Sequence, residues 1–264
     1  MIPSTLQTIR NRLTRGDVLF GIFCKTTAPD FVEALGHAGF DFCILDMEHG
    51  AIQLETLSNL IRAAENSGVL PIVRTRDNTA ESVSQPLDLG AAGIEVPQVG
   101  SAAEAQAIVD AARFAPKGHR GVCRFVRAAK FSALPRAEYF VQANEALIVL
   151  QLEGTSLAEY EKIADIPGVD ILFIGPYDLS QALGIPGEIE HPRVLEAIRS
   201  IIAIAARKNK TIGVFADSPA QAQRWINEGV RYIAYSVDVG LFYSACRDTV
   251  TTLKRLTHKT DEPS

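Results

Sequence analysis

The densest cluster of ionisable groups in this chain follows an apolar run. Phe42-Cys43-Ile44-Leu45 ends in Asp46-Met47-Glu48-His49-Gly50. Asp46 and His49 are three residues apart, so a turn there would bring the carboxylate to the imidazole. Such a partner fixes the ring's tautomer and raises its proton affinity, which suits a general acid–base. The layout recurs at Pro71-Ile72-Val73-Arg74, at Ile148-Val149-Leu150-Gln151-Leu152-Glu153 and at Ile171-Leu172-Phe173-Ile174-Gly175-Pro176-Tyr177-Asp178. Gln151 and Glu153 have strand spacing and face one way. Glu153 and Asp178 would stand at the ends of neighbouring strands, close enough to share one hard cation. Two carboxylates plus open positions for water and substrate oxygens describe a Mg²⁺ or Mn²⁺ site; without a cation they would repel each other.

Each candidate also has a plainer reading. Asp178 would serve as a helix N-cap before Leu179–Leu183, and Glu153 as a surface loop acid. Arg74 would pair with a neighbouring acid, and Arg76 would be solvated. Lys25, just beyond the first strand, keeps a Schiff-base mechanism open. His37, His119, His191 and His258 have no partner nearby in sequence. Cys43 alternates into a buried strand as core. No Gly-x-Ser-x-Gly elbow and no glycine-rich phosphate fingerprint occurs.

The elements that must position these groups alternate along the chain. Strands are expected near Leu19–Phe23, Phe42–Asp46, Pro71–Arg74, Gly93–Val96, Leu147–Leu152, Ile171–Ile174, Thr211–Phe215 and Tyr232–Ser236. Helical patterns fall between them at Pro29–His37, Gln53–Asn66, Glu81–Leu87, Ala103–Ala112, Ser156–Ala164, Pro192–Lys208 and Pro219–Asn227. Gly39, Gly68, Gly90 and Gly229 stand where helix C-cap glycines belong. Eight strand–helix units in 264 residues predict a single (β/α)8 TIM barrel, with catalytic groups at the C-terminal ends of its strands. That domain is expected to span 1–256, with a frayed tail at 257–264. The gap of about fifty residues from Pro97 to Ala146 must hold a helix and an insert containing Gly118-His119-Arg120-Gly121.

Composition excludes several classes. Interspersed charges with a net of −5 argue against nucleic acid or an anionic membrane as partner. No apolar run approaches the roughly 18 residues of a membrane span. The first residues, Met1 to Gln7, lack the charged-then-apolar order of a signal peptide. Cys24, Cys43, Cys123 and Cys246 are too widely spaced for a metal knuckle and are expected as reduced thiols in a cytoplasmic protein.

Taken in order, Asp46-x-Glu48-His49-Gly50, Pro71-x-Val73-Arg74, Leu87-Asp88-x-Gly90-Ala91-x-Gly93-Ile94-x-x-Pro97-x-Val99, Gly118-x-Arg120-Gly121, Gln151-x-Glu153 and Gly168-Val169-Asp170-x-x-Phe173-Ile174-Gly175-Pro176-x-Asp178-Leu179-Ser180 resemble the HpcH/HpaI family of class II pyruvate aldolases. The resemblance runs from about Phe20 to Phe242. It implies a TIM barrel, usually in a homohexamer whose C-terminal helix exchanges between subunits. It also implies a divalent cation (Mg²⁺, Mn²⁺ or Co²⁺) and reversible cleavage of a 4-hydroxy-2-oxo acid to a 2-oxo acid such as pyruvate and an aldehyde.

By the same resemblance, Glu153 and Asp178 match the metal-binding acids, and Gln151 matches a residue that holds a water at the metal. His49 matches the catalytic histidine with Asp46 as its partner, and Arg74 matches an arginine that contacts the substrate oxygens. Gly175, Pro176 and Tyr177 lie where backbone amides receive the pyruvate carboxylate, and Phe215 lies at another pyruvate-pocket position. Two departures stand out. Tyr177 replaces a small residue, and Gly121-Val122-Cys123-Arg124-Phe125 replaces a glycine- and serine-rich loop. Both are expected beside the aldehyde pocket, where Tyr177 would face the substrate or pack outward on the following helix. Arg124 and Arg127 would meet an anionic acceptor or stay solvated. Two other readings of the barrel are an acyl-CoA lyase of the citrate-lyase-β-like type and a noncatalytic 2-oxo-acid-binding protein.

Overall fold

The computed structural model describes residues 2–154 and 156–257. His258 and the expected tail beyond Thr257 lie outside the described residues. The eight strands are β1 Leu19–Cys24, β2 Phe42–Asp46, β3 Leu70–Arg74, β4 Gly93–Val96, β5 Leu147–Gln151, β6 Ile171–Ile174, β7 Thr211–Ala216 and β8 Tyr232–Val237. All neighbours are parallel, and β8 pairs with β1 to close the barrel. The expected strand positions agree with these to within a residue at each end. Such strands read as near-continuous apolar runs because both their faces are buried.

The outer layer contains α2 Pro29–Ala38, α3 Leu54–Ser67, α4 Ala80–Asp88, α5 Ala102–Ala112, α7 Leu157–Asp165, α9 Pro192–Arg207 and α10 Pro219–Asn227. Gly39 (φ 95°) and Gly68 (φ 82°) end α2 and α3 in the left-handed conformation that lets their N–H groups bond back to helix carbonyls. Two more helices, α1 Ile2–Thr14 and α6 Arg136–Ala143, have no counterpart among the expected elements. The short α8 Pro176–Ala182 starts three residues before the helix considered at Leu179–Leu183, and α11 Asp238–Thr257 is the C-terminal helix that the family resemblance implies. A 3₁₀ segment also covers Arg127–Ser132. No described helix is long and apolar enough to cross a membrane, and all four cysteines are free thiols.

Register fixes which side chains fill the barrel. The cross-strand partners Phe42–Leu70, Ile44–Ile72 and Asp46–Arg74 share one alternation, as do Arg74–Glu95 and Gln151–Phe173. Phe42, Ile44, Leu70, Ile72, Leu147, Val149, Ile171, Phe173 and Tyr232 form the inner core. Phe42 and Tyr232 stack at 3.8 Å, and the ring of Phe42 occupies space that only glycine leaves free on β1. A Cβ on Gly21 would lie 2.1 Å from that ring. Leu6 and Ile9 of α1 join the inner core from the N-terminal end, with Arg10 bridging Asp170 at 2.7 Å and Arg12 bonded to Asp41. One end of the barrel is thereby plugged, which leaves its C-terminal end as the open mouth.

The insert after α5 lies at the wrong end for its expected role. A helix-to-strand connection in a parallel barrel returns to the N-terminal ends of the strands, opposite the catalytic ends. Arg127 accordingly bonds Glu65 and the carbonyl of Leu89, and Arg124 donates to the carbonyls of Ser132 (3.1 Å) and Leu134 (2.7 Å). Within one chain, neither arginine reaches an acceptor pocket.

Candidate active site

The mouth is built from residues at or just beyond the C-terminal ends of the strands. Asp46 closes β2 fully buried, and its carboxylate is heavily engaged. It accepts from Arg74 Nε (2.9 Å) and Nη2 (2.6 Å), and from the backbone N–H groups of Glu48 and His49 (3.1 Å each). Lys25 Nζ stands 3.7 Å away as a further ion-pair partner. Burial would raise this carboxyl, but the hydrogen bonds and charge of Arg74, with the His49 N–H and Lys25, hold it below its ordinary range.

This corrects the expected dyad. Asp46 receives the main chain of His49, while its side-chain partner is Arg74. The imidazole is more than half exposed, and its Nε2 lies 3.9 Å from Glu48 Oε2. Glu48 is therefore the acid nearest the ring, and it also meets Arg74 Nη1 at 3.1 Å. The guanidinium lies over the Phe23 ring at 4.7 Å. With two carboxylates below and beside it and an aromatic face above, Arg74 is a fixed cation at the mouth.

Glu153 is half-buried, and Asp178 is exposed on the first turn of α8. The carboxyl of Glu153 is pushed up to about 8 by burial first, then by the charges of Asp178 and Glu48. The nearby backbone N–H of Gln98 acts against this rise, and the Gln98 side chain donates to Glu48 Oε1 at 3.2 Å. Gln98 holds a left-handed backbone (φ 56°), uncommon for a residue with a side chain. Nothing in its residue type announced this role. Asp178 leans back over the strand end, since a Cβ on Gly175 would come within 3.0 Å of its Oδ2. Asp178 is thus the third residue of α8, not the N-cap, a place Gly175 takes. Among the described residues no three His, Cys, Asp or Glu side chains converge as a metal cluster.

Pro176 cannot donate to a carboxylate, because proline has no N–H. The first-turn N–H groups of Tyr177 and Asp178 are those without an intrahelical acceptor. The Tyr177 side chain lies against the end of β7. Its ring meets Phe215 edge-on at 6.2 Å, and its hydroxyl donates to Asp217 at 2.6 Å. Phe215 in turn meets Phe23 at 5.9 Å, so one aromatic wall runs from Arg74 to Tyr177 across the mouth.

Two further residues escaped the sequence reading. Asp238 accepts the N–H groups of Lys25 and Thr26 at 3.0–3.1 Å and closes the β8–β1 side of the mouth. Glu95 points into the barrel from β4 with no solvent exposure and accepts from Gln151 Nε2 at 2.5 Å. Burial drives its carboxyl up to about 8 against the lowering effects of Arg74 and Gln151. An ionisable residue within a four-residue buried strand was the available signal. A separate cavity of about 710 Å³ opens between α1, α6 and the insert; none of the mouth residues lines it.

The HpcH/HpaI aldolase/citrate lyase family model matches residues 19–245. A 5-keto-4-deoxy-D-glucarate aldolase of Klebsiella pneumoniae is 35% identical over 245 residues, covering 92% of this chain and 95% of the relative. A 2-dehydro-3,6-dideoxy-6-sulfogluconate aldolase of Pseudomonas putida is 33% identical, with coverage of 92% and 95%. Among solved structures, an HpcH/HpaI aldolase/citrate lyase family protein of Burkholderia cenocepacia superposes with a TM-score of 0.89 at 31% identity, covering 94% of this chain and 99% of that one. A closed parallel barrel with its acids gathered at the strand ends, matched along nearly its whole length, places this carbon–carbon lyase in the HpcH/HpaI aldolase/citrate lyase family.

Proposed function

We propose that residues 1–256 form a divalent-cation-dependent aldolase that reversibly cleaves a 4-hydroxy-2-oxo acid to pyruvate, or a related 2-oxo acid, and an aldehyde. The observation that carries this reading is the partly buried Glu153, pushed up to about 8 by burial and by the charges of Asp178 and Glu48, at a mouth that also holds the fixed guanidinium of Arg74. Carboxylates gathered in a partly buried place repel unless a cation lies among them. The two carboxylates are oxygen donors, which fits Mg²⁺, Mn²⁺ or Co²⁺, and the buried, unpartnered Gln151 Oε1 is left to accept from a water or the substrate. Glu153 and Asp178 would hold the ion. When bound, it supplies Lewis-acid stabilisation of negative charge, worth several kcal/mol. Both curated relatives act on acids whose names place a methylene between an oxo-bearing and a hydroxyl-bearing carbon. That is the pattern a retro-aldol cleavage requires.

The chain's own groups divide the remaining work. Arg74 faces the 2-oxo acid oxygens, kept protonated and fixed in orientation by Asp46 and Glu48. The N–H groups of Tyr177 and Asp178, beside Gly175, receive the carboxylate, and Phe215 walls the methyl side. His49 takes the proton from the 4-hydroxyl. The C3–C4 bond then breaks, its electron pair becomes the enolate of pyruvate, and the aldehyde leaves. Returning a proton to C3 completes pyruvate. A positioned base of this kind contributes about 10²–10⁴-fold.

Exposed Phe242, Tyr243, Val250, Leu253 and Leu256 on α11 support a homo-oligomer, a hexamer by the family resemblance, and the four free thiols suit the cytoplasm. The test is turnover of 4-hydroxy-2-oxo acids followed by coupled pyruvate detection, with and without excess EDTA. Cleavage of the free acid that EDTA abolishes and cation restores is expected. Activity only with a CoA ester would favour the acyl-CoA reading, and binding without turnover the noncatalytic one. His49→Ala should lower kcat by about 10²-fold or more; near-normal turnover would move the base elsewhere.

A further inference from the structure

Glu95 is a buried acid to which the chemistry above gives no task. It leaves β4 inward, opposite Arg74 in the β3–β4 register, and also opposite Val149 of β5. Gln151 lies two residues beyond Val149 on the same face, so it stands nearer the mouth than Glu95 does. The amide bridges the two levels: Nε2 donates down the barrel to Glu95 Oε1. A planar carboxamide directs its oxygen away from its nitrogen. Gln151 Oε1 therefore faces the other way and, although buried, has no partner in the protein. Without Glu95, the same amide could turn over, because oxygen and nitrogen are close in size and only hydrogen bonding tells them apart.

We propose that Glu95 is a positioning residue, which accepts the Gln151 N–H and so locks the Gln151 carbonyl oxygen toward the mouth as an acceptor for the bound substrate or its water. The inference rests on the reading of Gln151 as a site residue. A buried orphan acceptor is costly to leave unmet, and here the missing donor arrives with the ligand. The pairing also accounts for an acid among apolar neighbours: a leucine at 95 would fill the space but hold no amide. Where burial keeps the carboxyl protonated, the proton belongs on Oε2, which is buried without a partner, and Oε1 remains the oxygen that accepts from Gln151 Nε2.

Glu95→Gln retains an acceptor oxygen at the same reach, whereas Glu95→Leu removes it. With a turned-over 4-hydroxy-2-oxo acid, Glu95→Gln should keep kcat/KM within about threefold of the parent. Glu95→Leu should lose about tenfold or more, matching Gln151→Leu, and the double variant should be no worse than either, as expected for residues acting as one unit. Wild-type activity in Glu95→Leu, an additive double variant, or an unimpaired Gln151→Leu would each overturn the proposal.

A second readout needs no turnover. In selectively ¹⁵N-glutamine-labelled protein, the Gln151 side-chain amide, identified by its loss in Gln151→Leu, should exchange slowly with solvent. It should exchange at least tenfold faster in Glu95→Leu. Fast exchange in the unmodified protein alone defeats the lock, even if Glu95→Leu does not fold. Absence of aldol cleavage with this resonance protected would instead count against the aldolase reading and leave the lock standing.

Discussion

Asp46→Asn separates two roles for the same carboxylate. If Asp46 served to orient His49, the amide would lower turnover and leave the fold intact. The structure instead makes Asp46 the counter-ion of a buried arginine, with contacts of 2.9 and 2.6 Å. Asparagine could still accept the Glu48 and His49 N–H groups through its oxygen, but its NH₂ would then face the Arg74 donors. Breaking a buried pair from one side costs about 3–5 kcal/mol. Arg74 retains Glu48 at 3.1 Å, so the lower end, about 3 kcal/mol, is expected. With a urea m-value of about 3 kcal/mol/M, the midpoint should fall by about 1 M. Trp225, the only tryptophan and buried, reports it by fluorescence. Because the carboxyl is held below its ordinary value, its contribution is complete above the unfolded pKa of about 3.9 and is lost as pH falls through the lower folded value. The gap between parent and variant should thus be full at pH 7 and shrink only below about pH 4. A midpoint within about 0.2 M of the parent at pH 7, with turnover reduced, would restore the histidine-orienting role and refute this account.

Cation binding should release protons, because Glu153 sits at about 8 before the ion arrives and must ionise to bind it. Calorimetry in buffers of different ionisation enthalpy should show release at pH 7 that fades above pH 9; pH-independent binding heats would exclude Glu153 as a ligand. Since Glu95 and Glu153 both have folded values raised to about 8, the cation-free protein should lose stability as pH rises from about 4.5 through 8, and Mg²⁺ should remove the Glu153 part; a stability maximum near pH 8 without cation would contradict both. Tyr177→Ala removes a ring from Phe215 and a hydrogen bond from Asp217, so the range of accepted aldehydes should widen while the pyruvate KM stays within about threefold. Tyr177→Phe, which keeps the ring, should change the range less, and identical aldehyde profiles in all three proteins would show that the wall does not border the acceptor.

The barrel was legible because buried parallel strands leave unbroken apolar runs that stop at charge. Phe42–Asp46, Gly93–Val96 and Ile171–Ile174 are found with the expected bounds. What failed was reasoning by nearness along the chain. Three residues separate Asp46 from His49, whereas its side-chain partner Arg74 is 28 residues away. Parallel pairing places Asp46 directly across from Arg74. Two strands ending in opposite charge at the same level would have revealed that pair once their register was considered. The insert misled in a similar way: its motif order matched catalytic loops, but a helix-to-strand connection belongs at the far end of the barrel.

Of the terminal helices, α1 has no counterpart among the expected elements, and α11 is expected only from the family resemblance. The first carries Leu6 and Ile9 at helical spacing into the core, a signal present in the chain. The second exposes much of its apolar surface within the chain, so no intrachain burial disciplined its pattern. Glu95 combines both lessons. Its charge contradicts its strand, and where a strong local pattern is broken at a buried position, another group must account for the cost. Here that group is Gln151, and behind it the ligand for which Gln151 keeps one oxygen unspent.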